Sequence, residues 1–520
     1  MATKSALPDA ACAEEAEIRA FLAVPGPLAG DRIEVFETHC AMVFVGAFDA
    51  LKIKRRVTYP YLDFSTLERR RAACERELAV NKPSAPEIYL AVEAITREPD
   101  GRLAVGGTGE AIEWAVRMRR FDQGDLLSER VRRGGLDTSL VKDTADMVAQ
   151  FHAAAPVVEG IDSTALLAAV ADEIALQLAP YPAIIAAERI AVWRRRVATH
   201  LERARAILAR RSAEGQVRRC HGDLHLSNIV VWNGRPVPFD AIEFDERLAC
   251  IDTLYDLAFL LMDLDRHGKR SAANLILNRV LWRTQADVDL EGLAALPLML
   301  SLRAGIRAFV TLQRASLEGP DRRVADQSRG RDTFAAAEAY LAPSHPRLIA
   351  VAGLSGTGKS TLAAGLAPLV GPPPGALHLR SDLERKALFG VDEQDRLPAD
   401  SYTKESSARV YAHLMRRAGL ALAAGWQVIV DAVSLQSTER DALEALAASH
   451  GATFHGFWLE APLEVLDARV AARTADASDA TPSVVRTQAA GVAEKPGVNW
   501  ARIDASGPLE ATLAAVRVRL

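Results

Sequence analysis

The sequence predicts two mixed α and β domains in succession, an α+β domain followed by an α/β domain. Residues 33–118 alternate β-rich runs with one charged helix, and a mainly helical region follows to about residue 342. After a Pro-containing break at residues 341–346, short apolar strands alternate with helices. That alternation is typical of a parallel sheet covered by helices on both faces, a three-layer α/β/α arrangement.

The bulk composition narrows the class of protein. The chain has 520 residues, too many for one hydrophobic core, with 49% hydrophobic and 25% charged residues. Its formal net charge of −4 gives no overall field that would attract nucleic acid. The five cysteines contain no CxxC pair, which argues against a zinc site or a disulfide framework. No secretory signal or membrane-length apolar run is present, so we expect a cytoplasmic protein.

The first domain opens with an extension, residues 1–32, that includes a predicted helix from Ala10 to Leu22. A further helix is predicted from Ser65, as N-cap of a capping box with Glu68, to Asn81. Strands are predicted at Val35–Phe36, Met42–Val45, Leu51–Ile53, Ile88–Ile95 and Ile112–Met118.

A catalytic pattern lies in the helical region. Residues 221–228, His-Gly-Asp-Leu-His-Leu-Ser-Asn, fit H-x-D-x-x-x-x-N, the catalytic-loop pattern of protein kinases. In that pattern the Asp, here Asp223, deprotonates the acceptor hydroxyl, and the Asn, here Asn228, binds Mg²⁺. Residues 229–239 read as a β-hairpin around Asn-Gly, which favours a type I′ turn, and the hairpin ends at Asp240.

Residues 219–263 closely resemble aminoglycoside phosphotransferases and their choline and fructosamine kinase relatives. The resemblance implies a bilobal protein-kinase-like fold over residues 33–342, with an N-lobe to about residue 120 and a C-lobe from about residue 121. It also implies Asp240 as the second metal-binding carboxylate, and Glu243 as a further candidate ligand. His221 is expected to support the loop, and Asp256 to fix it.

The same fold requires a strand lysine for the α- and β-phosphates and a helix glutamate that orients it. Lys52 is the preferred lysine, with Lys54 possible because it points to the same face of the strand. Glu77 is preferred over Glu75 as its partner. No Gly-rich G-x-G-x-x-G precedes Lys52.

A phosphate-binding motif opens the second domain, predicted at residues 348–520 after a linker at 343–347. Residues 353–360, Gly-Leu-Ser-Gly-Thr-Gly-Lys-Ser, match G-x-x-x-x-G-K-[ST] between a predicted strand, Leu348–Val351, and a predicted helix, Thr361–Leu369. Backbone N–H groups and the helix N-terminus suit phosphate, the lysine suits the β- and γ-phosphates, and the serine hydroxyl suits Mg²⁺. The predicted ATP-binding residues are Gly353, Ser355, Gly356, Thr357, Gly358, Lys359, Ser360 and Thr361.

The next strands add candidate catalytic groups. Ala376–Leu379 leads to Asp382 and Arg385, a candidate general base and a candidate anion-binding residue, although Asp382 as a mere helix N-cap is the alternative. Gln427–Val430 leads to Asp431, a candidate Mg²⁺ ligand through water. A fourth strand is predicted at Thr453–Leu459.

This segment resembles small P-loop kinases such as polynucleotide 5′-kinases, zeta-toxin-like kinases, chloramphenicol phosphotransferase and gluconate kinase. That resemblance implies a P-loop NTPase fold and a mobile lid that supplies an arginine to the transferred phosphoryl group. Arg473 is the preferred lid residue, four positions after Arg469, and a surface ion pair is the alternative for it.

The predicted activity is ATP- and Mg²⁺-dependent transfer of a phosphoryl group by both domains to hydroxyls of small molecules such as sugars, aminoglycosides or nucleosides. Two alternatives remain: a 5′-hydroxyl polynucleotide kinase in the second domain, and a regulatory role of one domain on the other. Neither a membrane partner nor a particular acceptor or oligomeric state is predicted.

Overall fold

The computed structural model describes residues 9–38, 40–59, 62–316, 319–472, 477–491 and 500–520. The chain forms two compact units. The first comprises Met1–Asp143, Gln150–Val158 and Val217–Asp256, and the second comprises Thr144–Ala149, Glu159–Gln216 and Leu257–Leu520.

The strands are β1 (Glu34–Glu37), β2 (Ala41–Val45), β3 (Asp49–Lys54), β4 (Thr58–Tyr59), β5 (Leu62–Asp63), β6 (Tyr89–Arg97), β7 (Leu103–Val105), β8 (Glu110–Arg119), β9 (Val217–Arg219), β10 (Ile229–Trp232), β11 (Arg235–Pro238), β12 (Cys250–Asp252), β13 (Arg347–Gly353), β14 (Leu377–Arg380), β15 (Val428–Asp431), β16 (Thr453–Glu460) and β17 (Trp500–Asp504).

The α-helices are α1 (Asp9–Leu22), α2 (Leu67–Asn81), α3 (Leu127–Arg132), α4 (Thr138–Ala154), α5 (Ser163–Leu178), α6 (Ala187–Ala213), α7 (Glu246–Ala249), α8 (Thr253–Arg266), α9 (Arg270–Thr284), α10 (Asp287–Glu291), α11 (Leu296–Ala315), α12 (Pro320–Tyr340), α13 (Lys359–Leu366), α14 (Ser381–Leu388), α15 (Lys404–Ala423), α16 (Ser437–Ser449), α17 (Leu463–Ala471), α18 (Pro482–Gly491) and α19 (Leu509–Arg517).

The first unit is built on a six-stranded antiparallel sheet in the order β1-β2-β3-β8-β6-β7. Its strands contribute to two apolar clusters, one that includes residues of α1 and one that includes Cys74 of α2. Ile18 and Leu22 of α1 pack in the same apolar cluster as Phe44 and Leu51 of the sheet. The described part of residues 1–32 therefore contributes to the packing of the amino-terminal lobe.

The start of helix α2 differs from the prediction. Ser65 is not its N-cap: the helix begins at Leu67, and the Thr66 side chain accepts a hydrogen bond from the backbone N–H of Arg69. The capping box of Ser65 with Glu68 is therefore wrong by one position. Ser and Thr cap helices with similar strength, so the adjacent pair leaves the first residue ambiguous in sequence.

The predicted hairpin after the catalytic loop is present. Strands β10 and β11 pair antiparallel, and the turn residues Asn233 and Gly234 have φ of 49° and 79°. Positive φ at both central positions is the signature of a type I′ turn. The hairpin places Asp240, two residues after β11, against Lys52 of strand β3.

The second unit contains a five-stranded sheet in the order β14-β15-β13-β16-β17, and every neighbouring pair is parallel. Four of its strands were predicted within a few residues. Strand β17 (Trp500–Asp504) was missed, and the helix after the glycine-rich motif begins at Lys359 rather than Thr361 and ends at Leu366.

Helices cover both faces of this sheet. Leu362 of α13 and Val516 of α19 pack with Ile349 and Phe457 in one apolar cluster. On the opposite face, the Arg440 guanidinium of α16 lies over the ring of Trp458. The domain is therefore the predicted three-layer α/β/α fold with a parallel sheet.

Among the described helices, none is by itself long and apolar enough to cross a membrane. One pair, Asp287–Ala294 and Leu296–Ala315, meets the length and composition requirement together but is bent by 64°.

Candidate active sites

The site of the first unit centres on two lysines of strand β3. Lys52 Nζ lies 2.8 Å from Oε1 of Glu77 and 2.5 Å from Oδ1 of Asp240. Lys54 Nζ lies 2.6 Å from Oε2 of the same glutamate and also binds Glu243. Because side chains two apart share one face of a strand, both lysines reach one buried carboxylate.

The electrostatics of this cluster follow from burial and pairing. Desolvation alone would raise the pKa of Glu77, but the two ammonium groups hold it at about 2. Burial raises the pKa of Glu243 in spite of Lys54. Burial would lower the pKa of Lys52, yet Asp240 and Glu77 raise it well above its usual value. Glu77 is therefore anionic and both lysines are cationic at neutral pH.

The structure separates the two candidate glutamates. Glu77 is fully buried between the lysines, whereas Glu75 forms an exposed ion pair with Arg71 on the outer face of α2. The structure does not distinguish Lys52 from Lys54 in the same way, because both lysines contact Glu77. Sequence reasoning treated Lys54 as a substitute for Lys52 and missed that the two act on one carboxylate together.

We expect Glu77→Gln to reduce MgATP turnover at this site about tenfold or more, because a hydrogen bond to a charged group is worth roughly 1.5–3 kcal/mol. Glu75→Gln is the matched control on the same helix and should stay within about twofold of the wild type, as exposed ion pairs contribute little. Steady-state ADP release measures both. Equal losses in the two variants would contradict a role for the buried glutamate.

The catalytic loop is held by buried hydrogen bonds. The Asp256 carboxylate accepts from the backbone N–H groups of His221 at 3.3 Å and Gly222 at 2.9 Å, which confirms that it fixes the loop. His221 lies 2.9 Å from the Phe239 carbonyl oxygen through Nε2, and burial lowers its pKa, so it supports the loop as a neutral side chain.

The backbone explains why Gly222 stands where protein kinases have an arginine. Its φ is +82°, and a Cβ at this position would lie 2.8 Å from the Leu248 carbonyl oxygen. Only glycine meets both conditions without strain. The departure from the protein-kinase pattern is therefore required by the local backbone.

Asp223 and Asn228 lie together in this loop. The Asn228 amide nitrogen donates to the backbone oxygen of Asp223 at 2.9 Å and to its carboxylate at 3.0 Å. The amide oxygen is thereby left for a cation. His225, which the sequence analysis did not single out, places Nε2 3.4 Å from the same carboxylate, and its signal was the second histidine of the His-Gly-Asp-Leu-His run.

Asp240 adopts an unusual backbone conformation. Its φ is +62°, a region that costs free energy for a residue other than glycine. The Asp240 N–H donates to the Tyr89 hydroxyl at 3.0 Å, and the next N–H, of Ala241, donates to Asn81 at 2.8 Å. The side chain is 42% exposed, so its carboxylate remains accessible. Carboxylate and amide oxygens such as those of Asp240 and Asn228 are the hard donors that Mg²⁺ prefers.

A cavity of about 480 Å³ lies in the amino-terminal lobe. Phe36, Phe48 and Phe121 line it, and the first two are 41% and 68% exposed. Phe121 also packs edge-to-face on Phe239, the residue before Asp240, with ring centroids 5.1 Å apart. Aromatic faces of this kind suit a nucleotide base.

In the second unit, the glycine-rich loop connects β13 to α13. Gly353 has φ of +139°, and a Cβ there would lie 2.5 Å from the Leu459 carbonyl oxygen, so the loop requires glycine. Lys359 Nζ donates to the Leu354 carbonyl at 3.0 Å, and the Ser355 N–H donates to Gln488 of α18 at 2.9 Å. Gln488 was not predicted, since nothing in the local sequence links α18 to this loop.

The other predicted nucleotide-binding residues follow from the same loop. Gly356 and Gly358 also have positive φ, of 91° and 86°. Ser360 and Thr361 form the first turn of α13 with Lys359, where helix N–H groups are open to an anion. Thr357 donates its hydroxyl to the Leu354 carbonyl at 2.8 Å and so braces the loop.

Two carboxylates lie at the carboxyl ends of neighbouring strands beside this loop. Asp431 ends β15 and is buried, and its Oδ2 lies 3.5 Å from His378 and has no hydrogen-bond partner. Burial would raise the pKa of Asp431, but His378, Lys359 and Arg380 hold it below its usual value. An anionic, buried oxygen of this kind fits a role toward Mg²⁺ together with the Ser360 hydroxyl.

Asp382 lies in the first turn of α14, whose N-cap is Arg380, so the alternative that it is only an N-cap is wrong. Burial and the charge of Asp431 raise its pKa, partly opposed by Arg380 and Lys359. Lys359 thus acts electrostatically on both carboxylates. A carboxylate with a raised pKa at this edge suits a proton acceptor.

The predicted arginines have different surroundings. Arg385 is buried, donates to the Ser401 carbonyl at 2.6 Å and stacks over Tyr402, so its role toward an acceptor anion stays a prediction. Arg469 donates to the carbonyls of Ala505, Ser506 and Gly507. Arg473, the predicted lid residue, lies outside the described residues.

Comparisons with known proteins agree with the two folds. Residues 67–288 match the phosphotransferase enzyme family, and residues 348–495 match an AAA domain family. The uncharacterized proteins Mb2027c of Mycobacterium bovis and Rv2004c of Mycobacterium tuberculosis are each 30% identical over 489 residues, which covers 92% of this chain and 93% of theirs. The similarity therefore runs through both halves.

Among solved structures, a gluconokinase from Sinorhizobium meliloti is 22% identical, with a TM-score of 0.25, over 33% of this chain and 90% of its own. A choline/ethanolamine kinase family protein from Mesorhizobium loti is 14% identical, with a TM-score of 0.36, over 63% of this chain and 98% of its own.

Proposed function

We propose that this chain is a bifunctional kinase with one ATP·Mg²⁺ site in each half. The chain belongs to the family of two-domain proteins that includes these mycobacterial relatives. Each site transfers the γ-phosphoryl group to a hydroxyl of a small molecule. One observation carries the proposal: each half brings lysine and carboxylate side chains from distant parts of the sequence together. Lys52 forms ion pairs with Glu77 and Asp240, and Lys359, Asp382 and Asp431 lie at or after the carboxyl ends of adjacent parallel strands.

In the first site, Lys52 holds the nucleotide phosphates and Asp223 accepts the proton of the acceptor hydroxyl. The ion pair between Lys52 and Asp240 must open for this, because the ammonium is needed at the phosphates. Glu77, which is itself held by Lys54, restrains Lys52 near this position. Asn228 and Asp240 would hold Mg²⁺, which would supply neutralisation of phosphate charge.

In the second site, the loop amides and Lys359 bind the phosphates and Asp382 accepts the hydroxyl proton. Lys359 exchanges its bond to the Leu354 carbonyl for the phosphates, and the Ser355 N–H exchanges Gln488 for a phosphate oxygen. Ser360 and Asp431 would hold Mg²⁺, which would neutralise part of the phosphate charge.

The test uses the full chain in two forms, each with one site disabled: Asp223→Asn leaves the second site, and Lys359→Ala leaves the first. Each is incubated with γ-labelled MgATP and sugars, aminoglycosides, nucleosides or RNA with a 5′-hydroxyl. We expect acceptor-dependent label transfer by each form, to different acceptors. Transfer to none by either form would refute the proposal, and transfer only to RNA ends by the Asp223→Asn form would identify a polynucleotide kinase.

The second site should lose activity at the acidic side at a higher pH than an ordinary aspartate would give. Asp382 works only as the anion, and burial raises its pKa, so activity falls as the pH drops through that raised value. Arg380 lowers this pKa, so Arg380→Gln should move the acidic limb of kcat/KM to still higher pH. An unchanged limb in this variant would exclude Asp382 as the titrating base.

A further inference from the structure

Helix α9 carries four polar side chains at intervals of four residues: Arg270, Asn274, Asn278 and Trp282. Residues four apart lie on one face of a helix. Each of these side chains hydrogen-bonds to the backbone of residues 371–383, in the P-loop half of the chain. Helix and segment belong to the same compact unit, although α9 lies within the phosphotransferase family match.

Asn274 and Asn278 hydrogen-bond to backbone groups at β14 that a neighbouring strand would otherwise pair. β14 is an edge strand of the parallel sheet, and such edges leave backbone groups unpaired. Asn278 Oδ1 accepts from the His378 N–H at 2.6 Å, and its Nδ2 donates to the Ala376 carbonyl at 3.2 Å. Asn274 donates to the same carbonyl at 2.9 Å. A carboxamide offers the donor and acceptor of a peptide group, so Asn278 pairs with the edge as a strand would.

The backbone before β14 is shaped for this contact. Gly375 has φ of +119°, and a Cβ there would lie 2.4 Å from the Ala367 carbonyl oxygen and 3.0 Å from Asn274 Nδ2. A larger residue would therefore push the asparagine away from the edge. Arg270 adds a hydrogen bond of 2.6 Å to the Gly371 carbonyl in the same segment.

The same helix holds α14, which follows β14 directly and carries Asp382. The Trp282 indole N–H donates to the Leu383 carbonyl at 3.0 Å, one residue from that carboxylate. Beyond the end of α14, Arg279 binds Glu393 at 2.6 Å and Arg283 binds Asp392 at 3.1 Å.

Both arginines are themselves fixed on Asp146 of α4, at 2.6 Å and 2.8 Å. Helix α14 is thus restrained before its start, within its first turns and after its end. All of these restraints come from one helix.

We propose that α9 positions the catalytic carboxylate of the P-loop kinase site. Asn278 and Trp282 are the positioning residues, and they act on Asp382 through β14 and α14. Neither touches the nucleotide or the acceptor. The effect of α9 on phosphoryl transfer rests on the proposed function of Asp382. The hydrogen bonds between Asn278 and β14 do not depend on that function.

The test compares three full-length variants with the wild type. Asn278→Leu removes both edge hydrogen bonds at similar volume. Trp282→Phe removes the indole N–H together with part of the ring over which Arg279 and Arg283 lie. Trp193→Phe is the matched control, because its indole donates to Ser301 of the helical part at 2.9 Å. Hydrogen–deuterium exchange of residues 376–388 is followed by mass spectrometry, with Lys359-dependent ADP release and its pH profile measured in parallel.

We expect exchange in this segment to accelerate roughly 5- to 10-fold for each hydrogen bond lost in Asn278→Leu and Trp282→Phe, and to stay unchanged in Trp193→Phe. Trp282→Phe should lower kcat and displace the acidic limb of the pH profile, with the affinity for MgATP unchanged. A purely structural bond would change exchange without moving that limb.

Wild-type exchange in both Asn278→Leu and Trp282→Phe would overturn the inference even if the kinase activity stands. Faster exchange with an unchanged acidic limb would reduce α9 to a structural support and so overturn its positioning role. If no Lys359-dependent ADP release exists in the wild type, the proposed function of this half fails, and exchange alone decides whether α9 completes the sheet. Should Asn278→Leu not fold, Trp282→Phe still tests the restraint of α14.

Discussion

Asp223→Asn should reduce phosphoryl transfer by the first site about 100-fold or more while its affinity for MgATP stays within about twofold. In the proposed mechanism the carboxylate accepts the proton of the substrate hydroxyl, and Lys52 binds Asp240 and Glu77 rather than this carboxylate. An asparagine keeps the shape and can still meet the Asn228 side chain. The loss therefore falls on the proton transfer, and not on the fold of the loop.

The measurement is made in the Lys359→Ala background, so that only the first site turns over. Transfer to the identified acceptor gives kcat, and nucleotide titration gives the affinity for MgATP. Asp240→Asn is the contrasting variant: in the proposed mechanism it removes an anionic metal ligand, so turnover of MgATP should fall even at saturating acceptor. A weakened nucleotide affinity with intact transfer in Asp223→Asn would assign this carboxylate to the metal and not to the hydroxyl.

The elements that the sequence predicted well depend on local signals. The Asn-Gly turn fixes its own positive φ values, and the glycine-rich motif is a continuous run whose backbone geometry follows from glycine at set positions. The same holds for the catalytic loop, where eight consecutive residues carry the pattern. These features need no knowledge of distant parts of the chain.

The features that were missed depend on contacts between distant residues. Asn278 and His378 are 100 positions apart, and Ser355 and Gln488 are 133 apart. An asparagine within a helix reads as a neutral surface residue unless its partner is known. The joint action of Lys52 and Lys54 on Glu77 is of the same kind, since only the packing of α2 on the sheet shows that one carboxylate lies between two strand positions.

Lys359→Ala should lower ADP release by the second site on the order of 10²–10³-fold. This is the usual cost of removing one donor that stabilises transition-state charge. In the proposed mechanism the ammonium neutralises phosphate charge, and it also lowers the pKa of both Asp382 and Asp431. Its removal therefore has a second signature: any residual activity should show an acidic limb displaced to higher pH. The background is Asp223→Asn, which disables the first site.

Lys404→Ala is the control, because this lysine is exposed at the start of α15 and offers the same change of charge. Its turnover should equal that of the wild type. Lys359→Arg separates charge from shape: it keeps the cation, so it should keep the pH limb near its original position even where its bulk lowers kcat. Equal turnover of Lys359→Ala and Lys404→Ala would mean that the loop binds no reacting phosphate. A lost rate with an unmoved limb in Lys359→Ala would mean that the lysine does not act on Asp382, and the two carboxylates would then need another partner.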